Sequence, residues 1–271
     1  QIIDIATPSA PSLIGTYDTA GGASGVMIVG NTAYVADQGS GLQIIDITIP
    51  TAPTLKSTYN TPGTAVDVTV VGNTAYVADF AFGLKIINIA TPSAPSLIGT
   101  YDTPGDARGV TVIGNTAYVA DEASGLQIID IATPSAPSLI GTYDIPGDAR
   151  DVAVIGNTAY VADEVYGLQI IDITTPATPT LTGTYDASGA MFGVAVVGNT
   201  AYMAGGELDI INLLYASSGT FESAVNNMET PQDFAAVSWN PASQAANTAM
   251  TMEVRAGNVN DCPLTCTGWT S

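Results

Sequence analysis

The stretch GNTAYVADEASGLQIIDIATPSAPSLIGTY, residues 114–143, holds most of one unit of a repeat that runs through the chain. Its opening pentapeptide Gly-Asn-Thr-Ala-Tyr recurs every 42 residues (72 − 30), beginning at Gly30, Gly72, Gly114, Gly156 and Gly198. Self-similarity at this period is typical of repeat proteins, in which each unit buries its apolar surface against its neighbours. The repeat therefore decides the fold.

Each unit contains four short runs rich in Val, Ile, Thr and Tyr, the residue types that favour strands. In one unit these runs are residues 66–71, 74–79, 84–89 and 95–101. Gly72-Asn73 between the first two runs is typical of a tight hairpin turn. Pro92 and Pro95 cannot donate ladder hydrogen bonds and therefore mark a loop between the last two runs. The sequence predicts four antiparallel strands per unit and no helix.

The third run of each unit is almost wholly apolar, so the predicted sheet must be covered on both faces. Neighbouring sheets of the same kind supply that cover when they stack around an axis, which predicts an all-β protein with a β-propeller of four-stranded antiparallel blades. A stacked β-solenoid is the alternative, although its rungs are usually shorter, about 20–30 residues, and lack regular hairpin turns.

The two ends of the repeat array are incomplete. Gln1 aligns with Gln43 and Lys85, so residues 1–19 supply only a third and a fourth strand, while the last copy has two strands and a degenerate third, residues 207–213. About five blades are therefore expected within residues 1–215. Either the ends close one ring, in which case two third strands compete for one place, or the blades are part of a larger ring in a longer chain.

The strand GLQIIDI and the A-T-P-x-x-P-x-L-x-G-x-Y segment after it recur together, with GLKIINI as one variant at Gly83. Over about residues 1–213 this pattern resembles the LVIVD repeat of bacterial and archaeal surface proteins. The resemblance implies a propeller exposed outside a prokaryotic cell. It implies no catalytic residues.

Residues 216–271 depart from the repeat and resemble the opening strands of a β-sandwich accessory module that is common in secreted multidomain proteins. We expect that module to continue beyond Ser271. Cys262 and Cys266 predict a short-loop disulfide in an oxidising compartment, with free thiols as the alternative. A zinc site would need two further ligands.

Charge and residue usage exclude several classes of function. The chain has 25 acidic residues, 5 basic residues and no histidine, for a net charge of −20, which repels nucleic acid. No apolar run reaches the roughly 20 residues of a membrane helix, so no membrane insertion is expected. The lack of histidine excludes Ser-His-Asp and Cys-His catalysis. We therefore expect a protein that is not an enzyme, although a carboxylate pair could serve a polysaccharide hydrolase or lyase.

In a propeller, the segment before the first strand of a blade and the loop between its second and third strands lie on the same face. Here these positions vary while the strands around them stay constant, which favours a binding surface. The candidate binding residues are Asp67, Phe80, Phe82, Arg108, Glu122, Arg150, Asp151, Glu164, Tyr166 and Phe192.

Several repeated residues have a structural interpretation. Two repeated aspartates are expected to accept backbone N–H groups two residues further on. One is the Asp of each IID, and the other opens the second loop of each unit, as Asp37, Asp79, Asp121 and Asp163. The tyrosines paired in each unit, such as Tyr34 and Tyr59, are expected to pack between blades.

Arg108 and Arg150 each follow an Asp in the sequence GDAR. They predict either a local ion pair with Asp106 and Asp148 or a clamp for an anion near the channel mouth. Clustered carboxylates at residues 121–122 and 163–164 raise calcium as an alternative ligand, but no D-x-D-x-D-G loop is present, so no cofactor is predicted.

Together these observations favour a non-enzymatic module at the cell surface that uses its variable loops for adhesion to a protein or glycan. The alternative is a subunit of an extracellular filament or sheath that self-associates by strand exchange. The surplus third strand is the observation that favours this alternative.

Overall fold

The structure is a computed structural model and describes residues 1–187 and 189–213. The chain divides by its contacts into a unit Gln1–Ile211 and a unit Asn212–Ser271. The expected β-sandwich module and the Cys262–Cys266 disulfide lie outside the described residues. Within the described residues there are 21 strands and no helices, and accordingly no helix with the length and apolar character needed to span a bilayer.

Four sheets have four antiparallel strands each, and their strands follow one another in chain order. Blade 1 consists of β3 (Gly25–Val29), β4 (Thr32–Ala36), β5 (Leu42–Asp46) and β6 (Thr54–Tyr59). Blade 2 consists of β7 (Asp67–Val71), β8 (Thr74–Ala78), β9 (Leu84–Asn88) and β10 (Ser96–Tyr101). Blade 3 consists of β11 (Gly109–Ile113), β12 (Thr116–Ala120), β13 (Leu126–Asp130) and β14 (Ser138–Tyr143). Blade 4 consists of β15 (Ala149–Ile155), β16 (Thr158–Asp163), β17 (Gly167–Asp172) and β18 (Thr180–Tyr185).

The two ends of the array form smaller sheets. An N-terminal pair consists of β1 (Ile2–Asp4) and β2 (Ser12–Gly15), and blade 5 consists of β19 (Met191–Val197), β20 (Thr200–Gly205) and β21 (Leu208–Asn212). Each of these groups is a separate sheet, so in the described part of the chain the ends do not share a blade. The N-terminal pair occupies the place of a third and fourth strand beside blade 1, as the sequence alignment predicts.

The first strands of successive blades contact one another in the order β3, β7, β11, β15, β19. This arrangement makes them the inner strands around a common axis and confirms the propeller. The predicted hairpin turns are also present: Gly72 has φ of 59°, a left-handed conformation that glycine adopts at little cost.

The core lies between blades. Tyr34 and Leu42 of blade 1 pack with Val68 and Ile87 of blade 2, and the same kind of cluster recurs between blades 2 and 3 and between blades 3 and 4. Each blade therefore has a forward face, which packs on the next blade, and a backward face, which packs on the preceding one. The repeated tyrosines lie in these clusters, which confirms their predicted packing role.

Candidate functional site

One end of the propeller, the loop face, carries the segment before each first strand and the loop between each second and third strand. The two are joined from blade to blade by isolated bridges that pair Gln38 with Ala65, Phe80 with Ala107 and Glu122 with Ala149. At the second bridge, the Phe80 N–H donates to the Ala107 oxygen at 3.1 Å and the Ala107 N–H donates back at 3.0 Å. The expectation that these segments share a face is correct.

The residues at these bridges have an unusual backbone conformation. Gln38, Phe80 and Glu122 have φ values of 46°, 51° and 42°, and they are the non-glycine residues with positive φ in the described chain. This conformation is costly for residues with a Cβ and persists only where surrounding contacts hold it. The paired hydrogen bonds to the next blade supply those contacts, so the Phe80 and Glu122 side chains are presented from a fixed backbone.

In three of the four loops, the Asp that opens the loop has a different partner from the one predicted. Asp37, Asp79 and Asp121 are fully buried, and each accepts the backbone N–H of a glycine 16 residues earlier, at 2.8 Å, 3.0 Å and 2.8 Å. Those glycines lie in the segment that leads into the same blade. The prediction of an acceptor for N–H groups two residues on is wrong for these three, whose carboxylates bind the preceding segment instead.

Asp163 does both. It accepts the Gly147 N–H at 3.2 Å and also the Val165 N–H, two residues on, at 3.0 Å. The Asp of each IID behaves as predicted throughout: Asp46 accepts the Thr48 N–H at 2.8 Å, and Asn88, which replaces Asp in blade 2, accepts the Ala90 N–H at 2.9 Å. These repeated residues are structural.

The two arginines of the loop face join three blades in one network. The Arg108 guanidinium lies 4.4 Å from the centre of the Phe80 ring, and its Nε donates to Glu122 Oε1 at 2.6 Å. The Nη1 of Arg150 donates to the same oxygen of Glu122 at 2.7 Å, and its Nη2 pairs with Glu164. Phe80 belongs to blade 2, Arg108 and Glu122 to blade 3, and Arg150 and Glu164 to blade 4.

This network changes the predicted role of the arginines. Arg150 lies 3.5 Å from Asp148, which is the predicted local ion pair, but Arg108 pairs with Glu122 rather than with Asp106. Because the two guanidinium groups already face Glu122, Glu164 and Asp148, an incoming anion would have to displace a carboxylate of the protein. The arrangement is a rigid, half-buried platform and not a preformed anion clamp.

Asp67 and Asp151 lie at the axis end of the loop face, at the same position of two inner strands. Asp67 accepts the Val110 N–H at 2.9 Å and Asp151 accepts the Val194 N–H at 2.9 Å, so each carboxylate links its blade to the next. The same strand position is glycine in the other three blades: Gly25, Gly109 and Gly193. A Cβ at Gly25 would come within 2.7 Å of an Asp67 oxygen, so the glycine makes room for the carboxylate.

Burial governs the ionisation of these carboxyl groups. Burial, with a smaller contribution from the negative charge of Asp151, raises the pKa of Asp67 to about 6. Burial also raises the pKa of Asp151, and it raises the pKa of Asp121 to about 6 with help from Asp106 and Glu122. These carboxyl groups favour the neutral form more than an ordinary aspartate does.

Three aromatic side chains stand out from the loop face. Phe82 and Tyr166 occupy the same loop position in blades 2 and 4, and Phe192 is in β19 beside the axis; all three are about half exposed, at 46%, 48% and 54%. The residue at the Gln position of GLQIIDI supports each of these loops. Gln169 Nε2 donates to the Tyr166 carbonyl at 3.3 Å, and Lys85 Nζ donates to the Phe82 carbonyl.

The family model described as the LVIVD repeat matches five segments of the chain: residues 1–19, 20–61, 62–103, 104–145 and 146–187. The chain belongs to the LVIVD repeat family. The boundaries of these segments reproduce the 42-residue period. No curated protein matches this LVIVD repeat protein.

Three solved structures that share its fold are distant in sequence. A crystal structure of a functionally unknown protein from Desulfotomaculum acetoxidans DSM 771 is 14% identical, with a TM-score of 0.59 over 74% of this chain and 69% of that one. The computationally designed Ika8 protein is 10% identical, with a TM-score of 0.59 over 72% of this chain. BamB from Moraxella catarrhalis is 14% identical, with a TM-score of 0.56 over 74% of this chain. The LVIVD repeat protein spans 59% of the Ika8 chain and 62% of the BamB chain.

A groove and the arrangement of the acidic side chains bear on which ligands could bind. A shallow groove of about 800 Å³, lined by residues that include Tyr17, Asp18, Gln43, Thr58 and Asn60, lies beside blade 1 and apart from the arginine network. Within the described residues, no group of three or more Asp, Glu, Cys or His side chains is arranged to hold a metal ion. The carboxylates at residues 121–122 and 163–164 instead bond to the chain itself.

The sequence analysis did not recognise that aspartate and glycine alternate at one position of the inner strands. It predicts Asp67 and Asp151 as binding residues because they lie in variable segments. In the aligned repeats, however, residues 25, 67, 109, 151 and 193 read Gly, Asp, Gly, Asp and Gly. That alternation is visible in the aligned repeats. It could have been used to place two carboxylates at the axis, each with room made for it by glycine.

Proposed function

We propose that this LVIVD repeat protein is a non-enzymatic, extracellular binding module that adheres to a protein or glycan through its loop face. The observation that carries the proposal is the group of exposed aromatic side chains, Phe82, Tyr166 and Phe192, on a face whose backbone and ion pairs are fixed from blade to blade. The strands beneath are shared by all repeats, so the features specific to one blade are concentrated here.

The residue types support this choice of surface. Aromatic residues and arginine are enriched among the residues that contribute most to binding at interfaces. A surface that is already ordered loses less conformational entropy on binding than a flexible loop would. The bridges at Phe80 and Glu122, together with the shared Glu122 contact, provide that order before any partner arrives.

Charge narrows the chemistry of the partner. With a net charge of −20 the protein repels strongly anionic surfaces, so a neutral glycan or a protein with a neutral or basic surface is favoured over nucleic acid. Aromatic side chains can pack on the apolar face of a sugar ring as well as on protein side chains. A cell-surface location is part of the proposal and is supported by the resemblance of the repeat to those of prokaryotic surface proteins.

The test is a screen of the full chain against glycan and surface-protein arrays, run in parallel with a loop-face variant carrying Phe82→Ser, Tyr166→Ser and Phe192→Ser. Serine is the residue that other repeats place at these positions, namely Ser40, Ser124 and Ser24, so the variant should fold. We expect the unchanged chain to give binding signals on the arrays that the loop-face variant does not give. A signal that the variant retains in full would contradict the assignment of this face.

The absence of enzymatic activity is also a proposal. It is supported by the lack of histidine in the sequence and by the structural roles of the repeated carboxylates. Incubation with a panel of polysaccharides tests it, and turnover that a single carboxylate substitution abolishes would overturn it.

We propose a second function, as a subunit of an extracellular assembly, because a specific observation favours it. The strands at both ends of the array expose large apolar residues, including Ile3 and Val26 at one end and Leu208 and Ile210 at the other. Electron microscopy of the purified chain at increasing concentration tests this function, with chains of particles expected and isolated particles alone contradicting it.

A further inference from the structure

The groove beside blade 1 is formed by two parts of the repeat. On one side it is lined by residues 17–20, the segment that leads from β2 into blade 1, and on the other by residues 39–40, β5, β6 and Asn60 of the same blade. Its volume of about 800 Å³ lies within the range of about 300–1,000 Å³ that is typical of small-ligand sites. The corresponding elements face each other in blades 2 and 3, so the same space can be compared between blades.

Ser40 leaves this space open, whereas an aromatic side chain occupies it in blade 2. A Cβ built on Gly21 would come within 2.9 Å of Ser40 Oγ. In blade 2 the equivalent Phe82 ring lies against the equivalent Gly63, with Cδ2 at 2.7 Å from such a Cβ. The short side chain of Ser40 therefore vacates the place that the Phe82 ring fills.

Blade 1 also has the smaller residue at two other positions of the groove. These residues are Ala20 and Gly39. Blades 2, 3 and 4 have proline at the first position and alanine or valine at the second, namely Pro62, Pro104, Pro146, Ala81, Ala123 and Val165. Ser124 of blade 3 matches Ser40, but among the four-stranded blades only blade 1 combines all three small residues.

The floor of the groove is polar and already ordered. Gln43, which is 4% exposed, donates from Nε2 to the Ser40 carbonyl at 3.0 Å and accepts the Thr58 hydroxyl at 2.8 Å. Because Thr58 has donated its hydrogen, its Oγ1 can only accept from a ligand, while Gln43 Nε2 keeps a second hydrogen to donate. In blade 3, by contrast, Oε1 of the equivalent Gln127 is buried and has no partner among the described residues.

The rim adds polar and apolar groups. Asp18 and Asn60 are exposed on it, and Asn60 is an amide where blades 2, 3 and 4 have a carboxylate, in Asp102, Asp144 and Asp186. Tyr17 packs on the cluster that contains Ile45, which holds its side chain in place, and Leu55 is 44% exposed. The groove thus has apolar side chains beside a polar floor.

The chemistry of these groups selects the class of ligand. Amide and hydroxyl groups both donate and accept hydrogen bonds, as sugar hydroxyls do, and Tyr17 and Leu55 offer apolar surface to the C–H groups of a sugar ring. An anionic ligand is disfavoured, because Asp18 and the net charge of −20 repel it and the described lining residues include no Lys or Arg.

We propose that this groove is a binding site for a neutral carbohydrate, in which Gln43 and Thr58 hydrogen-bond sugar hydroxyls and Tyr17 and Leu55 contact a ring. The site goes beyond the proposed function, because it does not include Phe82, Tyr166 or Phe192. A shallow groove covers only part of its ligand, so we expect dissociation constants of about 1 mM. Titration in solution measures such weak binding, whereas a washed array does not retain it.

The test is a titration of the full ¹⁵N-labelled chain, followed by amide NMR, with neutral cellotetraose, mannotetraose and chitotetraose. Tetragalacturonate serves as the anionic probe and sorbitol as a simple polyol. We expect at least one neutral tetrasaccharide to shift the amide signals of residues 17–20, 39–43 and 58–60, and neither tetragalacturonate nor sorbitol to do so.

Ser40→Tyr is the variant that fills the groove. It gives blade 1 the pair that Tyr166 and Gln169 form in blade 4, so the variant should fold, and we expect the dissociation constant to rise at least about 10-fold. Ser124→Tyr is the matched control, because it makes the same change in blade 3 and should leave the dissociation constant unchanged.

Thr58→Val removes one hydrogen-bonding group and keeps the shape of the side chain. We expect the dissociation constant to rise about 5-fold, the effect of one hydrogen bond. Thr100→Val, at the equivalent exposed position of blade 2, is its control and should have no effect. The amide spectra of all four variants also show whether each one is folded.

Each result separates this site from the proposed function. If no neutral tetrasaccharide shifts the groove signals, or if tetragalacturonate or sorbitol shifts them equally, the groove is not a carbohydrate site, and the proposed function is unaffected. Binding that survives both Ser40→Tyr and Thr58→Val would also overturn the inference. Binding that is instead lost when Phe82, Tyr166 and Phe192 are changed to serine would assign the sugar to the aromatic group, which supports the proposed function and contradicts this one.

Discussion

The Nη1 of Arg150 donates a hydrogen bond of 2.7 Å to Oε1 of Glu122, an oxygen that belongs to the preceding blade. Arg108 Nε donates to the same oxygen at 2.6 Å. One carboxylate therefore connects two guanidinium groups and holds blades 3 and 4 together at the loop face. This contact acts in addition to the apolar packing between the blades.

Glu122→Gln should weaken the connection between blades 3 and 4. The amide removes the charge that both guanidinium groups face while keeping the size of the side chain. Because the partners are half-buried, we expect the free energy of unfolding to fall by about 1–2 kcal/mol, between the effects of exposed and buried pairs. Chemical denaturation at 0.05 M and 1 M salt measures this, with a smaller loss at high salt.

Asp144→Asn is the matched control for that substitution, because Asp144 is an exposed residue of the same repeat unit and the same charge is removed. It should change the unfolding free energy by no more than about 0.5 kcal/mol. Equal effects of the two substitutions would mean that the shared contact does not hold the blades together.

Stability should rise as the pH falls from 7 to 4. The pKa of Asp67 is about 6 in the folded protein against an ordinary value of 3.8, so the folded state binds more protons between these values. The contribution of this group to stability is complete below about pH 4 and is lost as the pH rises through about 6. The raised pKa of Asp121, about 6, acts in the same direction. Thermal unfolding across this pH range should give a higher Tm at pH 4.5 than at pH 7.

Asp67→Asn isolates the contribution of the axis carboxylate. Asparagine keeps an oxygen that can accept the Val110 N–H and removes a charge that burial disfavours. At pH 7 the variant should be more stable than the unchanged protein by on the order of 2 kcal/mol, since each pKa unit corresponds to about 1.4 kcal/mol. The difference should vanish at pH 4. A variant that is less stable at pH 7 would show that the charged form is the one the fold prefers.

Gly109→Ala should destabilise the propeller at its axis. The new Cβ would lie 2.8 Å from Asp151 Cα and 2.9 Å from its Oδ1, so the inner strands of blades 3 and 4 would have to separate. We expect a loss of about 1–3 kcal/mol, as for other overpacked sites. Gly193→Ala is the matched control, because its Cβ would meet only ordinary contacts, at 3.7 Å from Asp151 Oδ2 and 3.8 Å from Ala204 Cβ. Chemical denaturation of both variants should show a loss for Gly109→Ala alone.

The elements that depend on local sequence could be predicted closely. The run 84–89 is β9 (Leu84–Asn88) and the run 74–79 is β8 (Thr74–Ala78), because strand-forming residues and the Gly72-Asn73 turn fix these limits within one unit. The packing of Tyr34 between blades followed from the same repetition. In each case one unit and its identical neighbours contain all the information that the prediction needs.

Contacts between residues that lie far apart in the chain were harder to predict. Arg108 was expected to pair with Asp106, two residues away, but it bonds to Glu122, which is 14 residues away and lies on the adjacent loop of the same blade. The bridge to Ala149 fixes the backbone of Glu122 beneath both arginines, and spacing along the chain does not reveal that bridge. The buried Asp37 was likewise assigned to the wrong N–H group, because the Gly21 N–H that it accepts lies 16 residues earlier in the chain.

The most direct test of the loop face as the binding surface is a titration against a partner found in the array screen. The dissociation constant should rise at least about 100-fold, about 2.7 kcal/mol, when Phe82, Tyr166 and Phe192 are all changed to serine. It should stay unchanged when Ile113 and Ile155, exposed residues beside the Gly-Asn turns at the opposite end, are changed to serine. Equal affinities for the three-serine variant and the unchanged protein, or a loss only in the Ile113 and Ile155 variant, would contradict the proposed function.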